Sequence, residues 1–196
     1  NQPIFIAKDS AGNIFVADSN NHRIEKFNSA GVYQSQFGSF GTGNGQFDLP
    51  HGIAIDASNN IFVVDSNNHR IQKFNSAGVY QSKWGAFGAG NGQFNDPWGI
   101  ALDSSSNIFV VDTDNNRIQK FNSAGTYQSQ FGTGGAGNGQ FSAARGIAID
   151  GSNNIFVVDT NNQRVQKFNS AGVYQSKFGS AGTGNGQFSS PYDVAI

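Results

Sequence analysis

A single period governs this chain. NIFVADSNNHRI, beginning at Asn13, returns as NIFVVDSNNHRI at Asn60, NIFVVDTDNNRI at Asn107 and NIFVVDTNNQRV at Asn154, each start 47 residues after the last. The same step carries GNGQF from Gly43 to Gly90, Gly137 and Gly184. A tandem repeat of this length restricts the fold to architectures that stack one supersecondary unit on the next, because no unit can bury its apolar face alone. No insertion or deletion breaks the register, which suggests recent duplication or deliberate construction.

Within one unit, turn signals separate four strands. GIAID (Gly52 to Asp56) is followed by the turn ASNN and then by IFVVD (Ile61 to Asp65), which reads as a hairpin. SNNH leads to RIQKFN (Arg70 to Asn75), and SAG leads to VYQSKWG (Val79 to Gly85). IFVVD is apolar at consecutive positions, so an antiparallel sheet built on it must be covered on both faces. Four-stranded units with buried faces and a period in the forties predict an all-β fold, a β-propeller of 47-residue antiparallel blades, with GIAID innermost and VYQSKWG at the rim. The blades fall at 3–38, 50–85, 97–132 and 144–179 of one continuous array over 1–196, with an extra inner strand at 191–196. Phe47, Phe94, Phe141 and Phe188 are expected to plug the gaps between blades, and Phe27, Phe74, Phe121 and Phe168 to share that core. The Asn-Gly pairs at Asn44, Asn91, Asn138 and Asn185 read as tight turns.

The stretch PHGIAIDASNNIFVVDSNNHRIQKF from Pro50 to Phe74, recurring along the whole chain, resembles the NHL repeat. The resemblance implies a propeller of roughly five or six blades, often extracellular or at the cell surface in bacteria, and used to bind protein, peptide or nucleic acid. It implies no single function, because function resides in sites grafted on a fold. PIFIAKD (Pro3 to Asp9) aligns with PHGIAID, and PYDVAI (Pro191 to Ile196) begins the same strand again. Fourfold closure would leave one strand surplus, so the expectation is an excerpt of a larger ring, or a chain whose open ends pair with another copy. The absence of Met points the same way, to a processed product or an excerpt.

Composition narrows the chemistry. Twelve Lys and Arg against thirteen Asp and Glu leave a formal charge of −1, so no overall field holds a polyanion and nucleic acid is not an expected partner. With no Cys, disulfides, thiolate metal sites and a cysteine nucleophile are excluded. No apolar run approaches the roughly 20 residues of a membrane-spanning helix. No Asn stands two residues before Ser or Thr, so there is no N-glycosylation acceptor.

In a nearly invariant frame the positions that vary stand out. The residue before the inner strand is Ile4, His51, Trp98, Arg145 and Tyr192 in successive units. A row of large, diverse side chains near a propeller axis suits a ligand contact surface, and His51, Trp98, Arg145 and Tyr192 are the candidate binding residues. Asp18, Asp65, Asp112 and Asp159 face Arg23, Arg70, Arg117 and Arg164 across a short turn, and an ion pair with Asn-stabilised turns accounts for them better than a calcium loop does. His22 and His69 give way to Asn116 and Gln163 in the next units, which argues against a shared zinc site. Lys26, Lys73, Lys120 and Lys167 read as a solvated row. With no convergent triad, paired acids or metal cluster, the chain is expected to be a binding or scaffold module for a protein, peptide or glycan, without cofactor and without enzymatic activity. The alternative is a structural array whose open blade ends assemble into multichain rings or filaments.

Overall fold

The computed structural model describes residues 3–196, with side chains from Phe5 onward. It contains strands and one short 3-10 turn, η1 (Ser19–Asn21). Two compact units divide the chain, residues 1–100 and 101–196, and each is described by itself.

In the first unit β1 (Pro3–Lys8), β2 (Ile14–Asp18), β3 (Arg23–Phe27) and β4 (Tyr33–Phe37) form one sheet in chain order. A second follows with β5 (Pro50–Ile55), β6 (Ile61–Asp65), β7 (Arg70–Phe74) and β8 (Tyr80–Trp84). β9 (Pro97–Leu102) straddles the division and shares a sheet with β10 (Ile108–Asp112), β11 (Arg117–Phe121) and β12 (Tyr127–Phe131). The two-residue strands β13 (Thr133–Gly134) and β14 (Gln140–Phe141) pair in parallel. β15 (Ala144–Ile149), β16 (Ile155–Asp159), β17 (Arg164–Phe168) and β18 (Tyr174–Phe178) make the last four-stranded sheet. The fold is thus all-β, built of antiparallel four-stranded sheets that repeat every 47 residues, as propeller blades do.

Local chemistry closes each hairpin. Asp56 Oδ1 accepts from Ser58 N at 2.9 Å and Asn60 N at 2.8 Å, and its Oδ2 accepts from Asn60 Nδ2 at 2.8 Å. Asp150 repeats these contacts with Ser152 and Asn154. The carboxylate thus organises the turn that joins the first two strands. The Asn-Gly pairs do form tight turns, with Gln46 N donating to Gly43 O and Gly45 at φ +75°. They lie in the connection between sheets rather than at hairpin tips.

The consecutive apolar residues of the second strand serve two interfaces. Phe15 and Ala17 pack with Ile61 and Val63 in one core, and Phe109 and Val111 pack with Ile155 and Val157 in the other. Phe15 and Ala17 of β2 therefore face the following sheet and Ile61 and Val63 of β6 the preceding one, and β10 and β16 repeat this arrangement in the second unit. β6 and β10 are buried at every residue. In β2, Ile14 and Val16 are only half-buried, and in β16 Phe156 is.

The connecting Phe residues behave as plugs. Phe74 lies 4.9 Å from Phe37 and 5.6 Å from Phe47 between ring centroids, and Phe168 lies 4.9 Å from Phe131 and 5.7 Å from Phe141. Phe27 and Phe188 are half-buried instead, because each lacks the neighbouring sheet that supplies the other rings. Residues 191–196 carry no strand. The register places an inner strand there, but it has no second strand to form its ladder, and a strand needs a hydrogen-bonded neighbour.

Candidate functional site

The four candidate residues sit where the first strand of each unit meets the next. Opposite β6, the pairing steps from Pro50↔Asp65 to Ile53↔Val63, so β5 carries one extra residue at His51–Gly52. β15 does the same between Ala144 and Ile147. A bulge of this kind re-aims a side chain and breaks the alternation that would otherwise fix its direction. Gly52 lets the following strand approach: a Cβ there would collide with Trp98 O and stand 3.1 Å from Ile100 N. At Gly146 a Cβ would stand 2.6 Å from Asp193 Cα and 2.7 Å from Tyr192 O. Strandless 191–196 thus lies beside β15 as β9 lies beside β5.

The approach stacks the side chains in pairs. His51 and Trp98 have ring centroids 4.0 Å apart at 31°, and Trp98 Nε1 donates to Asp96 Oδ2 at 3.0 Å. In the second unit the Arg145 guanidinium lies 4.4 Å over the Tyr192 ring, a cation–π contact. His51 is buried, Trp98 and Arg145 are partly exposed, and Tyr192 is 49% exposed. Burial of His51 has a specific cause. Ser66 Oγ lies 2.6 Å from Pro97 O and 2.7 Å from His51 Nδ1. A carbonyl only accepts, so the single hydroxyl proton goes to Pro97 and His51 Nδ1–H donates to Ser66. His51 is therefore a pinned support under Trp98, a role that its position in the repeat does not reveal. The side chain of Ile4, at the first equivalent position, lies outside the described residues.

The Asp–Arg pairs form as expected, and they do more than close a turn. Arg70 Nε donates to Asp65 Oδ2 at 2.7 Å, while its NH groups donate to Thr42 O (2.6 Å), Gly43 O (2.9 Å) and Gln46 O (2.8 Å). Asp65 also accepts from Asp48 N, Asn68 and Gln72. Arg164 holds Asp159, Ala136 O, Gly137 O and Gln140 O in the same way. The guanidinium forks of Arg70 and Arg164 thus tie their sheets to the connections that precede them. Burial pushes the Asp65 carboxyl up, opposed by the Asp48 N–H, Asn68 and Arg70. Among the described residues no three metal-donor side chains gather into a cluster.

Two repeated positions have roles that residue type alone concealed. His22 Nδ1 accepts from Leu49 N and His69 Nδ1 from Asp96 N, both at 3.2 Å, while Asn116 Oδ1 accepts from Ala143 N at 3.3 Å. Gln163 Oε1 accepts likewise from Ser190 N. What the position requires is an acceptor at a left-handed turn residue, which explains the exchange of His for Asn and Gln. The Lys row is not simply solvated: Lys26, Lys73, Lys120 and Lys167 lie 5.0–5.3 Å over Phe15, Phe62, Phe109 and Phe156, their cross-strand partners. No helix among the described residues is long and apolar enough to cross a membrane.

With this geometry in hand, comparison with known proteins is informative about the fold. A comparison with curated proteins finds no match. Among solved structures, the chain is similar to a catalytically inactive virginiamycin B lyase from Staphylococcus aureus with quinupristin, at 16% identity and TM-score 0.71, over 97% of this chain and 58% of that one. A streptogramin B lyase matches at 17% identity and TM-score 0.66 over 88% and 52% of the two chains, and Kuenenia stuttgartiensis hydrazine synthase at 11% and 0.68 over 89% and 48%. The chain therefore spans about half the length of these structures. Their enzymatic names overturn the expectation that a chain of this kind is not an enzyme, although identities this low establish the shared fold alone. The NHL-repeat family model matches residues 1–27, 47–74, 94–121 and 141–168. Since these four matches cover more than half of its length, the chain belongs to the NHL-repeat family.

Proposed function

We propose that this NHL propeller module recognises a protein, peptide or glycan partner through the residues at the start of its inner strands, on the axial face of the blades: His51 with Trp98 in one unit, and Arg145 with Tyr192 in the other. One observation carries the reading. In a frame repeated almost without change, the residue after the start of the inner strand differs from repeat to repeat, and within each unit two of these side chains stack, His51 with Trp98 and Arg145 with Tyr192. Supported aromatic faces with oriented polar groups beside them are the ordinary material of recognition sites. Trp98 rests on His51, which Ser66 holds in one tautomer, so the indole is ordered before any ligand arrives and loses little freedom on binding. Arg145 and Tyr192 supply a cation and a phenol in the second unit.

The test is a peptide and glycan array probed with the parent chain and with the Trp98→Ala/Arg145→Ala variant. The parent chain should select a set of ligands that the variant loses while keeping its thermal transition. An identical pattern for both, or no selection by the parent chain, would contradict the assignment.

A further inference from the structure

The asparagine of the repeated GNGQF is the one residue of that motif to which the fold gives no task. Gly45 takes φ +75° at the third position of the turn, and Gln46 N donates to Gly43 O at 3.3 Å. Gln46 Oε1 accepts from Gly43 N at 2.9 Å, and Phe47 is fully buried as a plug. A Cβ on Gly43 would stand 2.7 Å from Gln46 Oε1. Residues 137–141 repeat the arrangement, with Gly139 at φ +74° and Gln140 N donating to Gly137 O at 3.2 Å. Asn44 and Asn138, by contrast, are exposed, and their side chains make no hydrogen bond among the described residues. Asn28, Asn60 and Asn68 each secure a turn through the side chain. A turn with glycine at its third position makes no such demand on the second.

An asparagine followed by glycine is chemically reactive in its own right. The glycine nitrogen, deprotonated by hydroxide, attacks the asparagine Cγ. A bond from that nitrogen to Cγ forms, the Cγ–Nδ2 bond breaks, and the departing nitrogen takes a proton from water and leaves as ammonia, which regenerates hydroxide. Water then opens the cyclic imide at either carbonyl, giving aspartate or isoaspartate. Glycine has no Cβ to crowd the attack. In this fold the attacking nitrogen is occupied: Gly45 N donates to Gln72 Oε1 and Gly139 N to Gln166 Oε1, both at 2.9 Å. Both glutamines are completely buried, and their amides are fixed in one orientation. Gln72 Nε2 donates to Gln46 O at 2.6 Å and to Asp65 Oδ2 at 3.1 Å, and Gln166 Nε2 donates to Gln140 O at 2.7 Å and to Asp159 Oδ2 at 3.1 Å. A carbonyl and a carboxylate accept only, so the amide oxygen must face the glycine.

We infer that Asn44 and Asn138 are deamidation sites whose cyclisation is gated by Gln72 and Gln166. The glycine proton becomes available to hydroxide when its bond to the glutamine opens, and the unattached asparagine side chain is then in place to react. The isoaspartate product carries an extra methylene in the main chain between residues 44 and 45. That point lies between Gly43 O and Gln46 O, both held by Arg70 NH2. Lengthening the chain there breaks the match between the connection and the guanidinium, so the modification irreversibly loosens the tie between sheet and connection. Arg164 holds Gly137 O and Gln140 O across Asn138 in the same way.

The full chain, incubated in mildly alkaline buffer and followed by mass spectrometry of its tryptic peptides, tests this with two variants. In urea both asparagines of the parent chain should convert at similar rates, and in the folded parent both should convert more slowly. Gln72→Met removes the acceptor with an unbranched apolar side chain that fills the same gap. It should speed conversion at Asn44 by about 2–10-fold, the range for one net hydrogen bond, while Asn138 keeps its parent rate. Gln166→Met should do the reverse. Parent rates that are equal in the folded chain and in urea overturn the inference. So does a rate at Asn44 that Gln72→Met leaves unchanged, and so does equal acceleration at both asparagines, which would assign the protection to overall stability and not to the glutamine.

Discussion

Replacing Arg70 by Ala separates two explanations of the repeated Asp–Arg pair, because the chain contains its own control in Arg23. Asp65 is 0% exposed, and Arg70 binds it at 2.7 Å while capping three carbonyls of the connection at 42–46. Removing one partner of a buried pair costs about 3–5 kcal/mol, since the other charge remains buried. Asp65 keeps its bonds from Asp48 N, Asn68 and Gln72, so the lower end of that range, about 3 kcal/mol, is expected. At about 2–4 °C per kcal/mol for a chain of this size, the transition should fall by about 6–12 °C. Arg23 makes the same bond to Asp18 at 2.9 Å, but its side chain is 31% exposed and grips no connection. Arg23→Ala should therefore cost about 0.2–1 kcal/mol. Urea denaturation of both variants, followed by tryptophan fluorescence and circular dichroism, measures the difference. Equal losses would refute the idea that the guanidinium ties sheet to connection. A pH series adds a check on sign. Without Arg70, burial drives the Asp65 carboxyl further up, and a group whose folded pKa is raised contributes stability at low pH that is lost as pH rises through that pKa. The deficit of Arg70→Ala should thus shrink toward acid.

Other contrasts follow from the same repeat. Gly52→Ala would push a Cβ into Trp98 O, at an expected cost of about 1–3 kcal/mol, whereas Gly151→Ala meets nothing within 4 Å and should change stability by less than about 1 kcal/mol; chemical denaturation compares them. Phe74→Ala, which empties a fully buried site between Phe37 and Phe47, should cost about 3–5 kcal/mol, and half-buried Phe27→Ala should cost clearly less in the same assay. Asp150 has its pKa lowered by the Asn154 side-chain and backbone hydrogen bonds, and Asp9 is lowered too, because bonds from Asn13 and Ala11 outweigh its burial. Groups depressed in the folded state contribute stability above their unfolded value, near 3.9, and lose it as pH falls through the folded pKa. Carboxyl NMR titration should place both midpoints below that value, and a midpoint above it would contradict the turn geometry.

The fold was legible because the repeat writes the same instruction four times. Consecutive apolar residues in IFVVD demanded two covered faces, and β6 and β10 show them. The Phe plugs and the Asp–Arg pairs followed from recurrence at fixed spacing. What could not be read was the direction of side chains around the bulge at His51–Gly52, because an inserted residue breaks the alternation on which sequence patterns depend. The burial of His51 against Ser66 and Trp98 was hidden for that reason. So was the purpose of His22 and His69: only the partner amide, 27 residues away, shows that an acceptor is needed. The strandless state of 191–196 depends on a neighbour that a residue-by-residue reading treats as given. That enzymes share this fold is nothing that composition or spacing could have disclosed.

The most direct test of the recognition assignment is to map where a ligand selected by the parent chain touches it. Amide hydrogen exchange should show new protection at residues 98–99 and 144–146 around Trp98 and Arg145, with the outer strands β4, β8, β12 and β18 unchanged. Protection confined to those outer strands, with the bulged row unaffected, would contradict it.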